Sequence, residues 1–138
     1  MINQGPAQNP AQNPAQTQRR WNGALGHAAG KLAEEAVVRH YRDMGLVLLA
    51  TRWCGAWGEI DLIFRDGHMI VFVEVKKARD HDAAAARLSR RQMERICITA
   101  QDFMAGMPDG NDTPMRFDAA LVDRDGNIRI IRGAFGQG

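Results

Sequence analysis

Asp61, Glu74 and Lys76 are the residues of this 138-residue chain whose types and spacing suit chemistry. They stand in two apolar runs, Glu59 to Phe64 and Met69 to Lys76, that read as strands. Residues two apart on a strand share a face. Glu74 and Lys76 therefore point the same way as Phe72, and Val71, Val73 and Val75 take the other face. Arg65-Asp66-Gly67-His68 joins the runs, and Asp-Gly is a strong hairpin signal. With Asp66-Gly67 as a two-residue turn, Arg65 faces His68. Asp61 then lies opposite Phe72 and diagonal to Glu74, and Glu59 lies opposite Glu74. A longer turn moves the register by an even step and keeps the face. Two or three carboxylates and a lysine thus gather on one patch of an otherwise apolar sheet.

Carboxylates held this close repel and raise one another's pKa. A divalent cation resolves the conflict, and hard oxygen ligands completed by water suit Mg²⁺ or Mn²⁺. Such an ion polarises a phosphate, acidifies a bound water and steadies a leaving oxygen. Lys76 beside it is placed to orient the attacking water or to balance transition-state charge. Taken alone, a Glu-x-Lys on a strand is usually a surface ion pair of little energetic weight. Here the motif ends a long buried strand and faces a second acid across a hairpin.

The elements around this patch follow from periodicity. From about Ala24 to Met44 the pattern is helical, with Ala29, Leu32, Ala33, Ala36, Val37, His40 and Met44 as its apolar stripe. Gly45 is the expected C-cap. Leu46 to Ala50 reads as a short strand and Thr51 to Gly58 as a loop holding Trp53 and Trp57. The run from Met69 is rich in β-branched residues and almost uninterrupted, so it reads as central. Asp82 is a candidate N-cap for a second helix that runs to about Ala105 on a stripe of Met93, Ile96, Cys97, Ala100, Phe103 and Met104. Arg116 to Val122 and Asn127 to Ile131 are two further strands. Helix, three strands, helix, then one or two strands predict an α/β domain whose mixed sheet is covered by helices.

Composition sets outer bounds. The net charge of +2 neither requires nor excludes nucleic acid as a partner, so charge distribution matters more than the sum. Cys54 and Cys97 form neither a disulfide framework nor a zinc site, and a reducing cytoplasm is the expected compartment. No apolar run reaches the roughly 18 residues of a membrane span, and the N-terminus lacks a signal peptide's apolar core. Residues 1–22, with AQNP at 7–10 repeated at 11–14, read as a disordered tail, and 23–138 as a single domain.

The string GEIDLIFRDGHMIVFVEVKK, with the upstream helix GKLAEEAVVRHYRDMGL and the later RFDAALV, resembles the YraN-type family of small bacterial proteins. The match runs from about Gly26 to Phe135. Asp61 followed after twelve residues by Glu74-Val75-Lys76 is similar to the PD-(D/E)xK nuclease signature. The resemblance implies a restriction-endonuclease-like α/β core. It implies Asp61, Glu74 and the Val75 carbonyl as metal ligands and Lys76 as the catalytic lysine. The chain departs from the family pattern at Thr51, where asparagine is common, and in its AQNP tail.

Nucleases of that superfamily often add an acid from a helix. Helical phase selects Glu34, which borders the apolar stripe, over Glu35, which faces water. The second helix carries Arg87, Arg90, Arg91 and Arg95, a row of arginines away from the buried stripe that is expected to track phosphates. Gln92 borders the buried stripe and is expected to reach the active face, where it would contact nucleic acid. Trp53 and Trp57 are more readily explained by packing than by base stacking. The expected function is metal-dependent hydrolysis of phosphodiester bonds in nucleic acid, DNA foremost. The alternatives are a nucleic-acid-binding module with weak or no catalysis, and a protein-binding scaffold whose carboxylates are incidental.

Overall fold

The computed structural model describes residues 14–136, with backbone alone for 14–27 and for 111. Residues 1–13 of the expected tail, most of the AQNP repeat among them, lie outside the described residues. The chain divides into two compact units, Met1–Lys31 and Leu32–Gly138. The described part of the first is helical. The second holds the whole sheet and every residue of the site described below.

Helix α1 spans Pro14–Asp43 and so starts ten residues earlier than the sequence pattern suggested. Pro14 occupies a first helical position, where its fixed φ helps and its missing N–H costs nothing. Ala15, Gln16, Gln18, Arg19 and Arg20 are all strong helix formers. The buried stripe is Ala33, Val37 and Tyr41, spaced by four, whereas Leu32 is 64% exposed and Met44 is also exposed. The expected stripe was therefore rotated slightly from the true one. Gly45, at φ +94°, ends the helix as expected, with the Leu46 N–H returning to the Tyr41 carbonyl at 3.1 Å.

The sheet has the order β1-β2-β3-β4-β5, with β1 at Val47–Gly55, β2 at Gly58–Asp66, β3 at Met69–Lys77, β4 at Met115–Val122 and β5 at Ile128–Phe135. Among the described residues only β3 and β4 run parallel, so the sheet is mixed. A parallel pair needs a long crossover. Here it contains α2 (His81–Ala86), α3 (Arg90–Ala105) and a short 3₁₀ turn at Gly110–Asp112. The second helix is thus two helices. Asp80, not Asp82, caps α2 by accepting from Ala83, and Ser89 restarts the chain as the cap of α3 by accepting from Gln92. The segment read as a loop from Thr51 instead continues β1, which turns tightly at Ala56-Trp57 into β2.

Strand β3 is central and buried on both faces. Val71 and Val73 join Leu62, Phe64, Ala120 and Val122 beneath Ala33, Val37 and Tyr41 of α1. Ile70 and Phe72 join Ile60, Ile63 and Phe117 beneath Ile96, Ala100 and Met104 of α3. Each such aliphatic side chain contributes roughly 1.5–3 kcal/mol on burial. That two-sided burial is why β3 reads as a nearly unbroken apolar run and why Glu74 stands out in it. The mixed five-stranded sheet flanked by helices is a restriction-endonuclease-like α/β core. Among the described residues, no helix is long and apolar enough to cross a membrane.

Candidate functional site

The β2–β3 hairpin turns at Gly67-His68, with Gly67 at φ +62° and Asp66 paired to Met69. The expected turn, Asp66-Gly67, would have required a positive φ at Asp66; placing Gly67 first avoids that strain. The change moves the register by two residues and preserves the face. Ile63, rather than Asp61, now pairs with Phe72. Pairing stops at Leu62–Val73, and one step further the same register sets Asp61 opposite Glu74. The strands part there, and the Asp61 carboxylate fills the gap by accepting the Val75 N–H at 2.8 Å.

The parting opens a cleft of about 410 Å³ whose walls include Asp61, Glu74, Val75 and Lys76 from the hairpin, Glu34 from α1, and Gln92 and Arg95 from α3. Glu74 is 5% exposed. Its Oε2 accepts from Gln92 Nε2 at 2.8 Å and pairs with Lys76 Nζ at 3.4 Å. Its Oε1 is buried and meets no donor among the described residues, while the neighbouring Asp61 carboxyl lies within hydrogen-bonding influence of the Glu74 carboxyl. Burial first, and the neighbouring Asp61 charge second, push the Glu74 carboxyl up to about 8 although Lys76 draws it down.

Glu34 is half-buried at the cleft wall and Glu35 is exposed, as the helical phase indicated. Burial and then the Asp61 charge raise the Glu34 carboxyl above its ordinary range, while Arg52 counters them. Arg52 Nε meets Glu34 Oε1 at 3.3 Å.

A divalent cation fits these residues. Among the described residues no three His, Cys, Asp or Glu side chains converge tightly enough to hold an ion by themselves. A cation here would rest on Asp61, Glu74, the Val75 carbonyl and water, the sparse carboxylate set that suits Mg²⁺ or Mn²⁺. The buried, unpartnered Glu74 Oε1 supports that fit, because such an atom is costly unless something positive meets it.

The arginines expected to form one row do not. Arg87 caps α2, and its Nη1 is tied to the Lys77 carbonyl at 2.6 Å. Arg90 lines a different groove with Met93, Cys97 and Phe135. Arg91 is exposed on α3 outside the cleft wall, and Gln92 lies in it. Arg95, the last arginine of the expected row, lines the cleft three residues after Gln92. Glu59 lines it too, two residues before Asp61. Trp53 packs edge-on against Phe103 at 5.4 Å, whereas Trp57 at the hairpin tip is 63% exposed.

Fold and cleft together define a restriction-endonuclease-like domain with two acids and a lysine where the central hairpin parts. The model of the family described as "Uncharacterised protein family UPF0102" matches residues 33–122, and the chain belongs to that family. A UPF0102 protein of Cereibacter sphaeroides is 57% identical over 114 residues, covering 83% of this chain and 97% of that protein. One from Ruegeria pomeroyi is 51% identical over 116 residues, covering 84% of this chain and 94% of that protein. One from Dinoroseobacter shibae is 43% identical over 113 residues, covering 82% and 84%.

Proposed function

We propose that this protein is a metal-dependent nuclease that hydrolyses phosphodiester bonds in nucleic acid, with DNA as the expected substrate. One observation carries the reading: Asp61, Glu74 and Lys76 share a cleft in which Glu74 Oε1 is buried and meets no donor among the described residues.

Asp61, Glu74 and the Val75 carbonyl would hold Mg²⁺ or Mn²⁺. When bound, that ion supplies Lewis acidity and a water of lowered pKa. The chain's own groups do the rest. Asp61 is held by the Val75 amide and Glu74 by Gln92, so both acids are fixed before any ligand arrives. Such preorganisation is where most catalytic electrostatics come from. Lys76, kept at the cleft by its pairing with Glu74, orients the attacking water and balances charge at phosphorus. The water oxygen bonds to phosphorus, the bond to the leaving oxygen breaks, and a proton passes to that oxygen. Arg95 and Arg91 attract the flanking phosphates.

The test pairs calorimetry with cleavage. Mn²⁺ titrated into the wild type should bind at one site, and Asp61→Ala should weaken it by ten-fold or more. Labelled single-stranded, duplex and branched DNA should be cut in Mg²⁺ or Mn²⁺, and Lys76→Ala should abolish cutting while retaining the metal. A wild type that binds no Mn²⁺ would sink the reading. Metal binding without cleavage of any substrate would favour a nucleic-acid-binding module on this fold.

A further inference from the structure

Arg52 is the sole non-glycine residue at positive φ among those described, at +49°. Side chains rarely accept that conformation, which costs on the order of 1–3 kcal/mol and persists only where surrounding contacts impose it. Its place in the sheet is specific. On β1, Arg52 stands between the pairs Thr51–Leu62 and Trp53–Ile60, and hence across from Asp61. Its guanidinium reaches Glu34 on the cleft wall through Nε alone. Among the described residues, Nη1 and Nη2 have no hydrogen-bond partner, and the side chain is 43% exposed.

We infer that Arg52, beside the cleft at its Glu34 wall, is a phosphate-binding residue, its guanidinium aimed by Glu34 so that Nη1 and Nη2 take a backbone phosphate of the nucleic acid. The inference rests on the nuclease reading for its ligand and goes beyond it by naming a contact on β1. A guanidinium is a planar fork that matches two phosphate oxygens, and fixing one of its nitrogens beforehand reduces the entropy lost on binding. Glu34 is then a positioning residue. Its carboxylate holds the Nε edge and leaves the outer edge open. An arginine whose only task was to neutralise Glu34 would need neither a strained backbone nor an exposed fork.

The test is fluorescence anisotropy with a labelled 20-nucleotide single-stranded DNA in EDTA, from 50 to 200 mM KCl. Arg52→Gln should weaken binding about ten-fold and flatten the salt slope by about 0.7, the value of one phosphate contact on a single strand. Arg52→Lys keeps the charge without the fork, so the slope should survive while part of the affinity is lost. Glu34→Gln should weaken binding although it removes a negative charge, and Glu35→Gln should not. Inorganic phosphate at millimolar concentration should compete poorly, since free phosphate lacks the contacts flanking the cleft. Unchanged affinity and slope in Arg52→Gln, with an unchanged thermal midpoint, would overturn the assignment. So would tighter binding in Glu34→Gln. EDTA separates this result from the metal reading: Arg52 dependence without any Mn²⁺ binding overturns the nuclease and leaves the contact, and Mn²⁺ binding without Arg52 dependence does the reverse.

Discussion

A carboxylate that is 5% exposed and has one oxygen unpartnered can stay ionised only at the expense of the fold. In the unfolded chain Glu74 ionises near 4.5, and in the folded protein only near 8. Below both values each state is protonated and Glu74 adds no penalty. Between them the unfolded state alone releases the proton, so metal-free stability falls as pH rises from about 4.5 to about 8. Glu74→Gln keeps the shape and removes the charge. Without metal at pH 8 it should stabilise the protein by roughly 1–3 kcal/mol, or about 4–10 °C. At pH 4 the two proteins should unfold together. Scanning calorimetry in EDTA at both pH values checks this, and a variant less stable than wild type at pH 8 would refute the penalty. Mn²⁺ should reverse the order by raising the wild-type midpoint far more than the variant's.

At the scale of elements, α3 sorts its charges by side. Gln92 and Arg95, one turn apart, look into the cleft, whereas Arg90 faces the groove beside Phe135. Arg95→Gln should therefore lower the salt slope of DNA binding by roughly 0.7–0.9, and Arg90→Gln should leave it unchanged. Equal losses at both positions would move the binding surface off the cleft. The β1–β2 hairpin is held against the same helix. The Ala56 N–H donates to Asp102 Oδ2 at 3.3 Å, and a Cβ at Gly55 would fall 2.9 Å from Cγ2 of the buried Thr99. Gly55→Ala should cost about 1–3 kcal/mol in chemical denaturation by overpacking. A neutral result would show that the hairpin is free to shift. These elements also mark what could be read in advance. The facing of Asp61, Glu74 and Lys76 was legible because strand parity survives a change of turn, and Glu34 over Glu35 because a helix advances 100° per residue. The outer half of β1 was not, since Ala56-Trp57 carries no ordinary turn signal and Trp53 had no visible partner. Arg52 was missed with it, because a positive φ at arginine leaves no trace in spacing. The break between α2 and α3 was signalled only by Ser89, a capping residue inside a continuous apolar pattern.

Across the unit Leu32–Gly138, one buried carboxylate joins elements that are distant in sequence. Asp118 on β4 is fully buried. It accepts from Tyr41 of α1 at 2.8 Å, from Arg116 Nε and Nη2 at 2.8 and 2.9 Å, and from the Gly133 amide of β5 at 3.1 Å. Both oxygens are thus satisfied, as a buried charge requires. The arrangement fixes the roll of α1 through Tyr41, which lies seven residues, about two turns, beyond Glu34 and on the same side. It also stitches the edge strand β5 to the sheet at the point where its register with β4 shifts. Burial and the Asp118 charge both push the Tyr41 hydroxyl upward, so it donates throughout the accessible pH range. Tyr41→Phe removes one donor to a charged acceptor and should cost about 1.5–3 kcal/mol. Asp118→Ala strands the Arg116 guanidinium and should cost about 3–5 kcal/mol. Urea denaturation at pH 7 should show both as lower midpoints at an unchanged slope, with the two variants far from additive because they break one network. Tyr41→Phe should leave Mn²⁺ affinity intact, since Asp61 and Glu74 are held by Val75 and Gln92 and not by α1. A loss of Mn²⁺ affinity in Tyr41→Phe would show instead that α1, and Glu34 with it, helps to hold the ion.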